Sequence, residues 1–185
     1  MLNNKGQESA PFELLIAVII MSFVIFVGLI AMGNLTEQKC YNETVAKLEE
    51  MKTKIETVVA ERSPQQINFR LSACYNPEDE QVKIMDYSEP AFCADYCSAT
   101  KNLCTLLQYY YAGANDTGGF AKRLCLNISP DADFPTTGGN CPPKEGEGYE
   151  LVDFREEIVQ GQYLLVNKTS VTSTFPTICA YRKTG

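Results

Sequence analysis

The residues of this 185-residue chain best suited to covalent chemistry are eight cysteines: Cys40, Cys74, Cys93, Cys97, Cys104, Cys125, Cys141 and Cys179. Thiols in that number either oxidise in pairs or hold a soft metal. Zinc sites of the common kinds draw on closely spaced cysteine pairs, with histidine completing the mixed ones. Here the tightest cluster is Cys93-x3-Cys97-x6-Cys104; C-x2-C knuckles are missing, and the chain contains no histidine. An even number of cysteines, all downstream of a long apolar run, instead predicts four disulfides formed in an oxidising compartment. The spacing does not choose among the many possible connectivities. Lack of histidine also removes Ser-His and Cys-His nucleophiles. No carboxylate pair stands out as a general acid and base, so the expectation is a protein that is not an enzyme and needs no cofactor or metal.

Asparagine offers a second covalent chemistry. Asn34, Asn42, Asn115, Asn127 and Asn167 each open an Asn-x-Ser/Thr triplet, the acceptor pattern for N-linked glycans on exported proteins. Pro130 directly after Ser129 weakens the case for Asn127. Other candidates read as structure. Tyr109-Tyr110-Tyr111 suits a buried or half-buried place in a small domain better than a binding patch. Asp131, Asp133, Glu145 and Glu147 lack the ligand order of a calcium loop and read as a solvated acidic loop. Glu156 and Glu157 read as surface. The formal net charge of −7 argues against a nucleic-acid partner, which requires a basic face.

The elements that must carry these groups begin with Leu14 to Met32, an unbroken run of uncharged and mostly apolar residues. At ~1.5 Å per helical residue it is long enough to cross ~30 Å of hydrocarbon, and it exceeds the ordinary signal-peptide core of about 7–15 residues. Past Gly33-Asn34 the helix is expected to continue. Tyr41, Val45, Leu48, Met51, Ile55 and Val58 recur at steps of four and three, with charged residues on the other faces and Glu50 placed to pair with Lys54. Ser63-Pro64 ends it near Arg62. From Gln65 onward, strand-like runs are expected at Ile67–Ala73, Gln81–Tyr87, Arg123–Ile128, Tyr149–Phe154, Tyr163–Lys168 and Thr177–Arg182. Pro90 to Ala112 reads as a helical or irregular insertion tied by disulfides, and Asp131 to Gly148 as a long loop stapled through Cys141.

Ahead of the apolar run stand Lys5-Gly6-Gln7-Glu8-Ser9, followed by Glu13-Leu14-Leu15-Ile16-Ala17-Val18-Ile19-Ile20. This N-terminus resembles that of the type IV pilin superfamily, in particular archaeal pilins and pilin-like proteins with class III signal peptides. The resemblance covers about 30 residues and the stem-and-head layout. It implies that a prepilin peptidase cuts between Gly6 and Gln7 on the cytoplasmic side. The apolar helix is then retained, and a glutamate near the new amine pairs with a neighbouring subunit to set register. In the family that glutamate is the fifth mature residue. Here Pro11 holds that place and Glu13 is the seventh, displaced ~3 Å along and ~200° around the helix. The resemblance then gives the register role to Glu13 or to Glu8, acting on the Gln7 amine; the alternative for Glu13 is a hydrated carboxylate at the lipid interface near the helix start.

The expected fold class is α+β: a long N-terminal helix, apolar in its first half and amphipathic in its second, packed on a disulfide-rich, β-rich head. The expected divisions are 1–6 leader, 7–33 hydrophobic assembly helix, 34–62 amphipathic continuation and 63–185 extracellular head. The resemblance implies a homo-oligomeric filament subunit. It would sit in the cytoplasmic membrane before assembly, meet the prepilin peptidase and assembly machinery there, and end at the cell surface. The alternative from the same residues is a monomeric signal-anchored binding domain.

Overall fold

The helix expected to run on from the apolar segment to about Arg62 is present as one element, α1 (Ala10–Glu61), and its end has a local cause. Arg62 adopts a left-handed conformation at φ 55°, a common way to terminate a helix, and Pro64 forbids resumption. The computed structural model describes residues 10–71, 75, 80–97, 103–111, 120–135, 141–142, 144, 148–170 and 174–184. The chain falls into two units, Met1–Asn42 and Glu43–Gly185, and α1 contributes to both.

In the second unit α1 buries a single stripe. Leu48, Met51, Ile55 and Val58 are wholly excluded from solvent and Thr44 nearly so, a 4-3-4-3 spacing that keeps them on one face. The stripe begins at Thr44 and not at the expected Tyr41, whose ring is exposed. The expected Glu50–Lys54 pair is not made. Lys47 pairs with Glu50 and Lys52 with Glu56, each at 2.8 Å. Lys54 turns instead to the side-chain carbonyl of Gln65 at 3.1 Å, where the chain re-enters beside the helix.

The remaining elements are β1 (Gln65–Phe69), β2 (Glu80–Tyr87), α2 (Pro90–Cys97), β3 (Cys104–Tyr111), β4 (Phe120–Leu126), β5 (Tyr149–Leu151), β6 (Gly161–Asn167) and β7 (Ile178–Lys183). They form two antiparallel sheets, ordered β1-β6-β7-β5 and β2-β3-β4. The α1 stripe shares one core with Ile67, Phe69, Tyr163, Leu165, Ile178 and Ala180 of the first sheet and with Val82, Ile84, Leu107, Tyr109 and Leu126 of the second. After β5 the chain leaves β7 and runs along the outer edge of β2. Ile84 N–H donates to the Phe154 carbonyl (2.8 Å) and Ile158 N–H to the Val82 carbonyl (2.7 Å). Arg155 fastens this crossing with an ion pair to Asp86 (2.8 Å) and a hydrogen bond to the Ala132 carbonyl.

Three expected elements of the head also need correction. Only the first part of Pro90–Ala112 is helical, as α2; Cys104 to Tyr111 is the central strand of its sheet. Cys104 through Tyr109 are all buried, Thr105 and Gln108 included, so the strand is covered on both faces and shows no alternation to betray it. Leu107 and Tyr109 enter the shared core, while Cys104 and Cys125 on the opposite face are bonded to α2. The strand expected over Tyr149–Phe154 stops at Leu151, because the following residues cross to β2. The first predicted strand likewise ends early, at Phe69; residues 72–74 lie outside the described set.

Truncating the stripe should therefore unfold the head selectively. Met51→Ala or Ile55→Ala is expected to cost about 2–5 kcal/mol in denaturant unfolding of the full chain in detergent. Ile20→Ala, on an exposed turn of α1, should leave the head's midpoint unchanged; equal effects at both sites would refute this packing.

Candidate functional site

The feature that departs furthest from an ordinary globular surface is the first half of α1. Every residue from Phe12 to Thr36 is exposed, including Phe12, Phe23, Phe26 and Met32 at more than 60 % each. Isolated exposed apolar side chains are normal, but a contiguous apolar surface all round a helix marks contact with lipid or protein. The backbone suits that role, since a helix satisfies its own N–H and C=O groups without water. Its few polar side chains behave accordingly. The Ser22 hydroxyl donates to the Val18 carbonyl (2.8 Å) and Thr36 to that of Met32 (2.9 Å), so both are satisfied within the helix. Gly28 and Gly33 face open space where a side chain would stand. Among the described helices, α1 is the one long and apolar enough to cross a membrane.

Glu13 lies exposed in the first turn of α1, where the helix dipole favours a negative charge. The other proposed register and cleavage residues, Gly6, Gln7 and Glu8, lie outside the described residues.

The cysteines resolve as disulfides. Cys93 joins Cys104, Cys97 joins Cys125 and Cys141 joins Cys179; Cys40 is also disulfide-bonded, and no described cysteine is free. Cys74 lies outside the described residues. Cys93 and Cys97 stand one helical turn apart on α2 and reach adjacent strands, so α2 is clamped across β3 and β4. Arg123 supports the clamp: its guanidinium lies over the rings of Phe92 (5.4 Å) and Tyr96 (5.2 Å) and donates to the Tyr96 hydroxyl (2.9 Å). The zinc alternative fails because the thiolates it needs are consumed in these bonds. Cys141–Cys179 holds Cys141 against the face of the first sheet that carries Tyr181, whose hydroxyl donates to the Pro142 carbonyl (2.8 Å).

The sequons are placed unequally. Asn34 and Asn42 are exposed on α1, although Thr44 of the second is buried. Asn127 is exposed just past β4, its backbone N–H held by the Glu56 carboxylate (2.6 Å). Asn167 is half-buried and hydrogen-bonded, and Asn115 lies outside the described residues. Tyr109 is buried, with its hydroxyl donating to the Glu80 carboxylate (2.7 Å), and Tyr110 is half-buried, both in keeping with a structural role. Asp131 and Asp133 are exposed and Glu145 and Glu147 are not described; among the described residues no three acidic, cysteine or histidine side chains converge as metal ligands.

One concavity escaped the sequence. A hollow of about 240 Å³ is lined by Leu151, Val152, Asp153, Glu156, Glu157, Val159, Tyr163 and Arg182. Glu156 and Glu157 gave a surface signal, but nothing linear joined them to Tyr163 and Arg182. Arg182 is ion-paired with Glu150, and the Tyr163 hydroxyl donates to the Val159 carbonyl. Burial pushes the Tyr163 phenol up to about 12, an effect Arg182 only partly offsets. Tyr75 is also pushed up to about 12, chiefly by burial and further by Glu157 and Glu80. No protein-family model, curated protein or solved structure matches the chain.

The Tyr75 and Tyr163 phenols make alkaline stability testable. In the folded head they stay protonated where the unfolded chain's tyrosines, at about 10, ionise. Their contribution is therefore complete below about pH 10 and lost as pH rises through about 12. Phenolate absorbance of these two tyrosines should appear only together with unfolding; early, non-cooperative titration of all ten tyrosines would contradict their burial.

Proposed function

We propose that this chain is a structural subunit of an archaeal type IV pilus-like surface filament, assembled through α1 after cleavage between Gly6 and Gln7. The observation that carries this reading is the change of character along one helix. From Phe12 to Thr36 α1 is exposed on every side, and from Thr44 to Val58 it buries one stripe in the head. The first stretch, apolar on all sides, demands an apolar surrounding. Lipid provides it before assembly, and identical helices provide it afterwards. In that setting Glu13 is the only ionisable side chain from Ala10 to Met32, and a carboxylate at the edge of an apolar phase is costly unless hydrated or paired. Pairing with the amine of Gln7 in a neighbouring copy would satisfy both charges and fix register. The disulfides support an oxidising, extracytoplasmic place for the head.

N-terminal and intact-mass analysis of the native protein tests this directly. The expected product begins at Gln7 and is recovered in filaments sheared from the cell surface. A chain beginning at Met1 and confined to detergent-soluble membranes would establish the anchored ectodomain instead. One beginning at Asn34 would reveal ordinary signal-peptide removal.

A further inference from the structure

Asn167 opens an Asn-Lys-Thr triplet, yet its side chain is already committed inside the head. It ends β6, and its Nδ2 donates to the carbonyl oxygens of Val58 (3.2 Å) and Val59 (3.5 Å). Those carbonyls belong to the last turn of α1, where intrahelical N–H partners run out. Its Oδ1 accepts from the Thr169 N–H (2.9 Å) and from the Thr169 hydroxyl. The same hydroxyl oxygen accepts from the Thr177 N–H (3.1 Å). Both side chains that define the triplet are thus engaged by the fold. Asn127 differs, since its side chain is exposed and only its backbone N–H is held.

N-glycosylation joins Nδ2 to the anomeric carbon of a lipid-linked sugar, releasing the lipid phosphate carrier and one amide proton. At Asn167 the amide hydrogens are aimed at α1, so a sugar on this nitrogen would have to force β6 from the helix end. We propose that the fold withholds Asn167 from glycosylation and uses it as a cap on α1, making modification and closure of the head mutually exclusive. A glycan at this position then marks a chain modified before its head closed. The inference rests on the head's own hydrogen bonds and does not require the filament reading.

Purified oligosaccharyltransferase with a lipid-linked oligosaccharide, offered the full chain in detergent either folded or reduced and denatured, provides the test. Peptide mass spectrometry should find Asn167 modified in the denatured chain and bare in the folded one. Equal modification in both would overturn the proposal, and so would no modification in either, because the triplet and not the fold would then be refusing it. The cap has its own readout. Asn167→Ala should lower Tm by about 2–4 °C, the shift expected for a lost cap in a protein of this size. Asn167→Asp should lower it further, since it removes the donors and sets a negative charge at the helix C-terminus. Thr169→Ser should stay near the wild type. Wild-type Tm in both Asn167 variants would refute the cap.

Discussion

The structure of the head depends on one narrow strip of a helix. Leu48, Met51, Ile55 and Val58 are each sealed from water, and burying such side chains stabilises by roughly 1.5–3 kcal/mol apiece before conformational entropy is counted. A helical stripe is too narrow to form a core alone, so it must be covered by layers. Both sheets contribute to that cover. The alternation in β1 and β2, with Ile67 and Phe69 or Val82 and Ile84 on one side, follows from having one face turned to this stripe.

Two sheets sharing one helix leave exposed strand edges, which are a hazard to any β-protein. The outer edge of β2 is covered by the chain itself, through the hydrogen bonds of Phe154 and Ile158 and the Arg155–Asp86 tie. The outward faces are closed covalently. An eight-residue helix such as α2 has little stability of its own, and Cys93 and Cys97 fix it to two neighbouring strands at once. The Cys141–Cys179 bond ties a residue outside the strands to β7. Such cross-links suit a head whose core is small for the surface it must hold.

The same helix meets two different surroundings along its length. Where its side chains are apolar on all sides, a helix is the form that leaves no backbone group in need of water, and Ser22 and Thr36 are satisfied internally. Beside the buried stripe, Lys47 pairs with Glu50 and Lys52 with Glu56. The helix end is then closed from the head by Asn167, so the last turn of α1 and the last residue of β6 are joined.

The sequence by itself determined the helix, its C-terminal end, the apolar run and the choice of disulfides over zinc. Those properties live in local periodicity, in Pro64, and in a cysteine set without histidine. It also located six strand-like runs, because most strands bury one face and so alternate. It missed β3, because burial on both faces erases alternation, and it misplaced Glu50–Lys54, because Lys54 answers to Gln65 across a turn. The apolar stem was legible as a surface requiring a partner, whereas the hollow around Tyr163 and Arg182 was not, since its walls come from segments that meet only when β5, β6 and β7 pair. Which cysteines join, which sequon amide serves as a cap, and which strand edge is covered were decided only by tertiary structure. Each depends on groups distant in sequence being brought within bonding distance, and no local pattern encodes that.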